Sequence, residues 1–460
     1  MRKLSVIFII CAFACVAFAE PFKMANIVCF VKFADQAESK WEHDFDYYEA
    51  MFNSTEPGAN SVRNYFSDMS FGRMDWKSTL ILTEYVDSHP RGYFCEKSSS
   101  NPDGYSSLDL MLDTRTKTLV KDMCEYLSDK LPEDVVLDAN GDGTVDNIVI
   151  IINGNSEKTS NNMLWPANNT APAARLKGLN VKNYLKVFDG ANGYNYYYEP
   201  YKLHTGVLCH EMTHTLNAYD LYTEKGSTLN PIGVWDLMSD NGTVPQGLSA
   251  YMRMTYGADY GNWLPAADVE TITEEGVYTI RPISAGNPEK VAYKIRPSKT
   301  KTEYFILEYR DRSDLWDEQL PSGGLLVYRV HPGYQGNGGA DNKYELYLFR
   351  PNGSTTSGGQ INRAPLGPET NRKSFGHVDD NDYPFYEDGT RAYFCIRDVK
   401  KTEDGISFHF YPNITGASAV TEIDADIEDT QEIYNLQGIK LDRITSPGLY
   451  IINGKKTLVK

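Results

Sequence analysis

The spacing of apolar and polar positions changes twice along this chain, and the changes divide it. From residue 20 to 265, strand-like runs such as Asn147 to Asn153 alternate with helical periodicity, as in Leu108 to Lys130 and again around 205–216. Trp263-Leu264-Pro265 closes that mixed region. From Val269 onward short alternating runs separated by turn residues dominate, such as Gly276 to Arg281 and Tyr304 to Tyr309, and they continue to about Pro412. An acidic stretch rich in Ala, Thr and Asp follows from Asn413 to Thr430, and Ile433 to Lys460 is a separate short β pattern. The pattern predicts an α+β chain with a mixed region at 20–265, a β-rich region at 266–412, a linker at 413–430 and a C-terminal β segment at 431–460. At 460 residues the chain is long enough for two or three domains with sizeable cores.

The helical stretch near residue 210 carries the chemistry. Leu208, Cys209, Met212 and Leu216 fall on one arc at helical period, and His210 and His214 fall opposite them. One face is therefore expected in the core and the other at a site, with Thr205 or the adjacent Gly206 as the N-terminal cap. Only 8 histidines occur in the chain, so two of them in His210-Glu211-Met212-Thr213-His214 stand out. Residues four apart on a helix lie one turn above the other, so both imidazoles can reach one ion. Zinc suits two neutral imidazoles and one oxygen ligand, which leave a fourth position for water. Bound zinc lowers the pKa of such a water to roughly 7. Glu211 is placed to take the water's proton and later to give it to a leaving amine.

The longer run from His210 to Asp220 resembles the extended HExxHxxGxxH/D motif of the metzincins. In that clan the third ligand lies six residues after the second histidine, which implies Asp220 here. Glu224 and Asp236 are the alternative oxygen ligands. The motif's glycine is replaced by Asn217, the non-glycine residue that best tolerates the left-handed turn required there. Gly233-Val234-Trp235-Asp236-Leu237-Met238-Ser239 resembles the clan's methionine turn, with Met238 as a soft packing floor under the metal. Further segments resemble the immune inhibitor A family of secreted metzincin peptidases in the right order: Asn26 to Gln36, Ser61 to Gly72, Asp138 to Asn147 with the strand after it, Tyr304 to Arg310 and Gly323 to Val330. The resemblance covers roughly residues 24 to 410. It implies a metzincin-like zincin catalytic domain at 20–265, a twisted mixed sheet plus the active-site helix, and it departs in Asn217 and in lacking a long propeptide. The segment from Ile433 to Lys460 resembles the sorting domains of type IX secretion substrates, which implies contact with export machinery; the alternative is a small β-hairpin appendage.

Composition adds compartment and partners. Met1 to Ala19 reads as a secretory signal: Arg2 and Lys3, an apolar stretch from Val6 to Phe18, and Ala17-Phe18-Ala19 before a cut at Glu20. The run is too short to favour a membrane span, and a lipoprotein reading through Cys11 or Cys15 ranks second. The expected location is secreted or cell-surface. Cys29, Cys95, Cys124, Cys209 and Cys395 remain beyond the signal, with no CxxC site, and they leave room for one disulfide whose pairing is open. A formal net charge of -17 excludes nucleic acid as a natural partner. Asp138, Asn140, Asp142, Thr144 and Asp146 present oxygens at alternate positions around Gly143, the start of an EF-hand-like loop suited to Ca²⁺. Its twelfth position is Val149, so Asp146 would have to close the site. Asp379 to Asp382 reads as a solvated acidic loop. Tyr194, Tyr196, Tyr197, Tyr198 and Tyr201 either line a peptide cleft or pack half-buried. The sequence thus points to a secreted zinc endopeptidase acting on proteins or peptides. A catalytically inactive surface adhesin or glycan-binding protein that retains a zinc site is the rival, and a zinc amidase or esterase is a third reading.

Overall fold

The structure is a computed structural model. It describes residues 20–413 apart from 156–162, 172, 191–202, 224–228, 298–301, 340–342, 378–379 and 381, and then 421–423, 433–436, 440–441, 444, 447–452 and 455–459. The signal-like segment, Glu224, Asp379 and the tyrosines between 194 and 201 lie outside the described residues.

Five strands form the central sheet: β1 (Phe22–Phe33), β2 (Met74–Asp87), β3 (Ile148–Ile152), β4 (Ala167–Thr170) and β5 (Asn183–Phe188). Their order is β2-β1-β3-β5-β4. All neighbours run parallel except β4, which is the antiparallel edge. The apolar run of β3 explains its central place: every residue is buried, because both faces are covered. Val149 and Ile151 pack on one side with α1 (Phe45–Asn53), α2 (Val62–Met69) and α5 (Thr205–Thr215). Ile148, Ile150 and Ile152 pack on the other side with α4 (Thr114–Ser128).

Two local expectations are corrected. The single helix predicted over Leu108 to Lys130 is two, α3 (Ser107–Leu112) and α4, broken at Asp113 with φ 51°. Aspartate tolerates that left-handed geometry, and the Tyr184 hydroxyl donates to its carboxylate at 3.4 Å. Only α4 has a buried face, through Leu119, Val120, Met123, Cys124 and Leu127, so the two pieces need not share an axis. The second correction concerns α5, whose cap is neither Thr205 nor Gly206. His204 takes that role, its Nδ1 accepting the Val207 N–H at 3.2 Å. Gly206 serves a close approach: a Cβ there would meet the Gly242 carbonyl oxygen at 1.8 Å. The helix is buried on nearly every side rather than one, and only His214 among its residues is partly open.

The β-rich region supplies β6 (Glu270–Ile272), β7 (Gly276–Ile280), β8 (Ala292–Ile295), β9 (Tyr304–Arg310), β10 (Gly324–Val330), β11 (Leu346–Leu348), β12 (Cys395–Lys401) and β13 (Ile406–Tyr411). They form one sheet in the order β11-β10-β9-β8-β6 and another in the order β7-β13-β12. The core around α5 continues into this region: Ile306, Leu326, Tyr328 and Leu348 belong to the same buried cluster as Met212 and Met238. The helix α6 (Ala250–Tyr256) makes the join, its Ala250 N–H donating to buried Glu308 on β9 at 2.6 Å. Arg310, also fully buried, bonds Glu308 and Asp317 and reaches the carbonyls of Trp235 and Gly247.

Strands at Thr421–Ile423, Ile433–Tyr434, Lys440–Leu441, Gly448–Ile452 and Lys455–Val459 make a further small sheet around Ile433, Ile452 and Val459. Thr421–Ile423 lies inside the stretch expected to be linker and pairs in parallel with Lys455–Val459. All five cysteines beyond residue 20 are free thiols. Among the described residues no helix is long and apolar enough to cross a membrane.

Candidate metal centre

The helix α5 presents His210 and His214 on one side of its last two turns, with ring centroids 5.0 Å apart. The chain leaves the helix through Leu216 and through Asn217, whose φ of 65° is the left-handed turn expected at that position. That turn returns Asp220 to the histidines. Its Oδ1 lies 3.1 Å from His210 Nε2 and 3.4 Å from His214 Nε2. The other ring nitrogens face carbonyl oxygens: His210 Nδ1 faces Leu237 O at 3.0 Å and His214 Nδ1 faces Ala218 O at 2.8 Å. Each Nδ1 therefore carries a proton and donates it, so each Nε2 faces the Asp220 oxygen, as a donor when the ring is charged and as a free lone pair when it is neutral. A carboxylate oxygen converging with two imidazole nitrogens in a largely buried place needs a positive charge beside it, from a proton on a ring or from a metal ion. Burial works against charge on His210, yet its hydrogen bond to Asp220 and the nearby Glu211 and Asp220 charges outweigh it and raise its pKa to about 9. Burial likewise opposes charge on Asp220, and the two histidines override it and hold the carboxyl well below its usual range. The donor set, two imidazole nitrogens and a carboxylate oxygen, is that of a zinc site with one position open.

Glu211 is buried beside these three residues. Tyr222 lies across from them, its ring 6.4 Å from that of His210 and nearly parallel to it. Beneath them a short 3-10 turn at Gly233–Trp235 leads into Asp236, Leu237 and Met238, all fully buried. Asp236, an alternative third ligand in the sequence, has another task. Its carboxylate accepts the N–H of Met238 at 2.9 Å and of Ser249 at 2.7 Å, which ties the turn to α6. The turn in turn holds the segment that carries Asp220, since the Leu221 N–H donates to Met238 O at 2.8 Å.

Several residues that position α5 were not found by sequence reasoning. Thr215 donates to Asn147 at 2.8 Å and accepts from Asn168 at 2.8 Å. Asn168, on the edge strand β4, also donates to the Glu211 carbonyl at 2.9 Å. Asn147 donates to Asn26 at 2.8 Å, and Asn26 to Ser78 at 2.9 Å. An asparagine set in an apolar stretch of strand, as Asn26 is between Ala25 and Ile27, is the available signal.

The acidic loop brings together the carboxylates of Asp138, Asp142 and Asp146. Asn140 and Thr144 turn their side-chain oxygens to partners within the loop, Asn140 to the Asp142 N–H and Thr144 to the Asp142 carboxylate. Asp146 Oδ2 accepts the N–H groups of Ala25 and Ala139, while its Oδ1 is buried with no hydrogen-bond partner. Burial, opposed by those two N–H groups and reinforced by Asp138 and Asp142, raises the Asp146 pKa to about 6. Of the weaker acidic cluster, Asp380 accepts from Ser374 and the His377 N–H, and Asp382 pairs with Arg372.

No curated protein matches the chain. A family model does: the one described as the immune inhibitor A peptidase M6 catalytic domain matches residues 30–264, about half the chain, from β1 through the histidine helix and the methionine turn. With that span matched, the chain belongs to the immune inhibitor A (M6) family of metallopeptidases.

Proposed function

We propose that this protein is an exported, zinc-dependent endopeptidase of metzincin type in which His210, His214 and Asp220 hold the metal and Glu211 is the general base. The convergence of two Nε2 atoms and one carboxylate oxygen, with both Nδ1 groups committed to carbonyls, carries this reading. Zinc held there would make a bound water acidic and polarise the scissile carbonyl. Glu211 takes the proton of the attacking water on its carboxylate and delivers it to the leaving amine. The strand β4 is the sheet edge beside α5, so an extended peptide can add to it as a further strand. Met238 packs under the ligands as the floor of the site.

The reading extends to the rest of the chain. The segment 20–265 supplies the catalytic machinery and 266–412 buttresses it. Residues 1–19 direct export, and the small C-terminal sheet serves as a sorting module. The loop of Asp138, Asp142 and Asp146 takes Ca²⁺, with the unpartnered oxygen of Asp146 as one ligand.

The test is Glu211→Gln, assayed on casein with zinc content measured in parallel. Cleavage by the wild type should be abolished by a chelator. The variant should keep its zinc and lose cleavage, by the 10²–10⁴-fold typical of a general base or more. Near-normal turnover of the variant removes the mechanism, and zinc-bound wild-type protein without chelator-sensitive cleavage favours the adhesin reading.

A further inference from the structure

The turn that carries Asp220 is gripped by a residue far outside the span matched by the catalytic family model. Asn337 is fully buried in the β-rich region, and its backbone N–H and side-chain amide are all engaged. Its backbone N–H donates to Asp220 O at 2.8 Å. Its side-chain amide donates to Leu221 O at 2.8 Å and to Leu346 O at 2.8 Å, and its Oδ1 accepts the Leu346 N–H at 3.2 Å. The neighbouring Gly336 has φ 74°, and a Cβ there would meet the Asp220 carbonyl oxygen at 2.4 Å. Gly336 is fixed in turn by Glu345, whose other oxygen accepts the hydroxyls of Tyr251 and Tyr256 at 2.6 Å each. The Asp220–Leu221 backbone is thus held by Asn337 on one side and by Met238 O on the other.

We propose that Asn337 is a positioning residue for the metal centre, setting the Asp220 carboxylate opposite the two histidines, so that the β-rich region completes the site. This inference rests on the reading of Asp220 as a metal ligand. Asp220 lies past the end of α5, where no helical bonding fixes the backbone, so its placement depends on bonds from outside the helix. Partners that orient a metal ligand without touching the metal are typically worth 10- to 100-fold in affinity.

The test uses the full chain stripped of metal and titrated with zinc and with cobalt(II), whose visible absorption reports the ligand set. Asn337→Ala should bind zinc about 10- to 100-fold more weakly, with a cobalt spectrum shifted toward that of Asp220→Ala. The variant lacking both side chains should bind no more weakly than Asp220→Ala alone, because Asn337 acts through Asp220. Wild-type affinity in Asn337→Ala beside a weakened Asp220→Ala overturns the inference, as do additive losses in the double variant. Wild-type affinity in Asp220→Ala removes the ligand reading, and the inference with it. If Asn337→Ala does not fold, Gly336→Ala keeps the side chain of Asn337 and drives a methyl group toward the Asp220 carbonyl. It should weaken zinc binding, and wild-type affinity there overturns the inference equally.

Discussion

Thr215→Val tests whether the histidine helix α5 is anchored by a chain of side-chain hydrogen bonds. Thr215 is buried at the end of α5, with Asn147 on one side of its hydroxyl and Asn168 on the other. Valine keeps the shape and removes both bonds. Asn168 retains the Glu211 carbonyl at 2.9 Å, so its loss is partial, about 1 kcal/mol. Asn147 is fully buried, and its Oδ1 loses the Thr215 donor, which costs about 1–3 kcal/mol. Together the substitution should destabilise the metal-free protein by about 2–4 kcal/mol. Urea unfolding followed by tryptophan fluorescence measures it, since Trp76, Trp235 and Trp263 are all buried in the core that α5 joins. The midpoint should fall while the slope stays unchanged. Thr215→Ser, which keeps the hydroxyl, should lose much less. A loss below about 0.5 kcal/mol for valine, the range of an ordinary surface change, would mean that Asn147 finds another donor. The polar chain would then not anchor the helix.

Two further outcomes follow from buried charges. Burial, opposed by Asp113 and Glu211, lowers the Lys186 pKa from 10.5 to about 8. The folded protein therefore holds that proton less tightly than the unfolded chain. The resulting penalty, about 3 kcal/mol at 1.36 kcal/mol per unit, is fully present below pH 8 and fades as pH rises through 8 toward 10.5. Compared with Lys186→Met by urea unfolding, the wild type should gain relative stability over that window, and a pH-independent difference refutes the assignment. At the acidic loop, Ca²⁺ should raise the thermal midpoint of the wild type and not that of Asp146→Asn; an equal rise in both excludes Asp146 as a ligand.

How much of this was legible in the sequence depended on whether a residue's partners were local. The histidines and Glu211 are set by helical spacing, and Asn217 by a turn that few side chains tolerate, so one stretch of chain was enough to read them. The apolar run of β3 marked it as a strand, and its burial on both faces came from the structure. The break at Asp113 was missed because helical periodicity does not show where an axis changes direction. His204 was missed as a cap because imidazole is an uncommon one. Asn147, Asn168 and Asn337 were invisible for a deeper reason. Their partners lie at sequence separations of 68, 43 and 116 residues, and nothing in the local pattern marks such contacts.

If His210, His214 and Asp220 hold the metal as proposed, binding and folding are coupled through the same three atoms, and that coupling separates a ligand from a base. The two Nε2 atoms and Asp220 Oδ1 are brought together only by the folded chain, because the turn at Asn217 and the grip on Leu221 place Asp220. A metal that binds this arrangement and not the unfolded chain stabilises the fold by about 2.7 kcal/mol at a hundredfold excess over its dissociation constant. Chelation should therefore lower the unfolding midpoint of the wild type, and added zinc should restore it. Asp220→Ala should show a much smaller response, having lost a ligand. Glu211→Gln should show the full response, since Glu211 is not one of the three converging groups. Identical midpoints with and without chelator would refute the coupling. A response lost in Glu211→Gln but kept in Asp220→Ala would reverse the roles assigned to the two carboxylates.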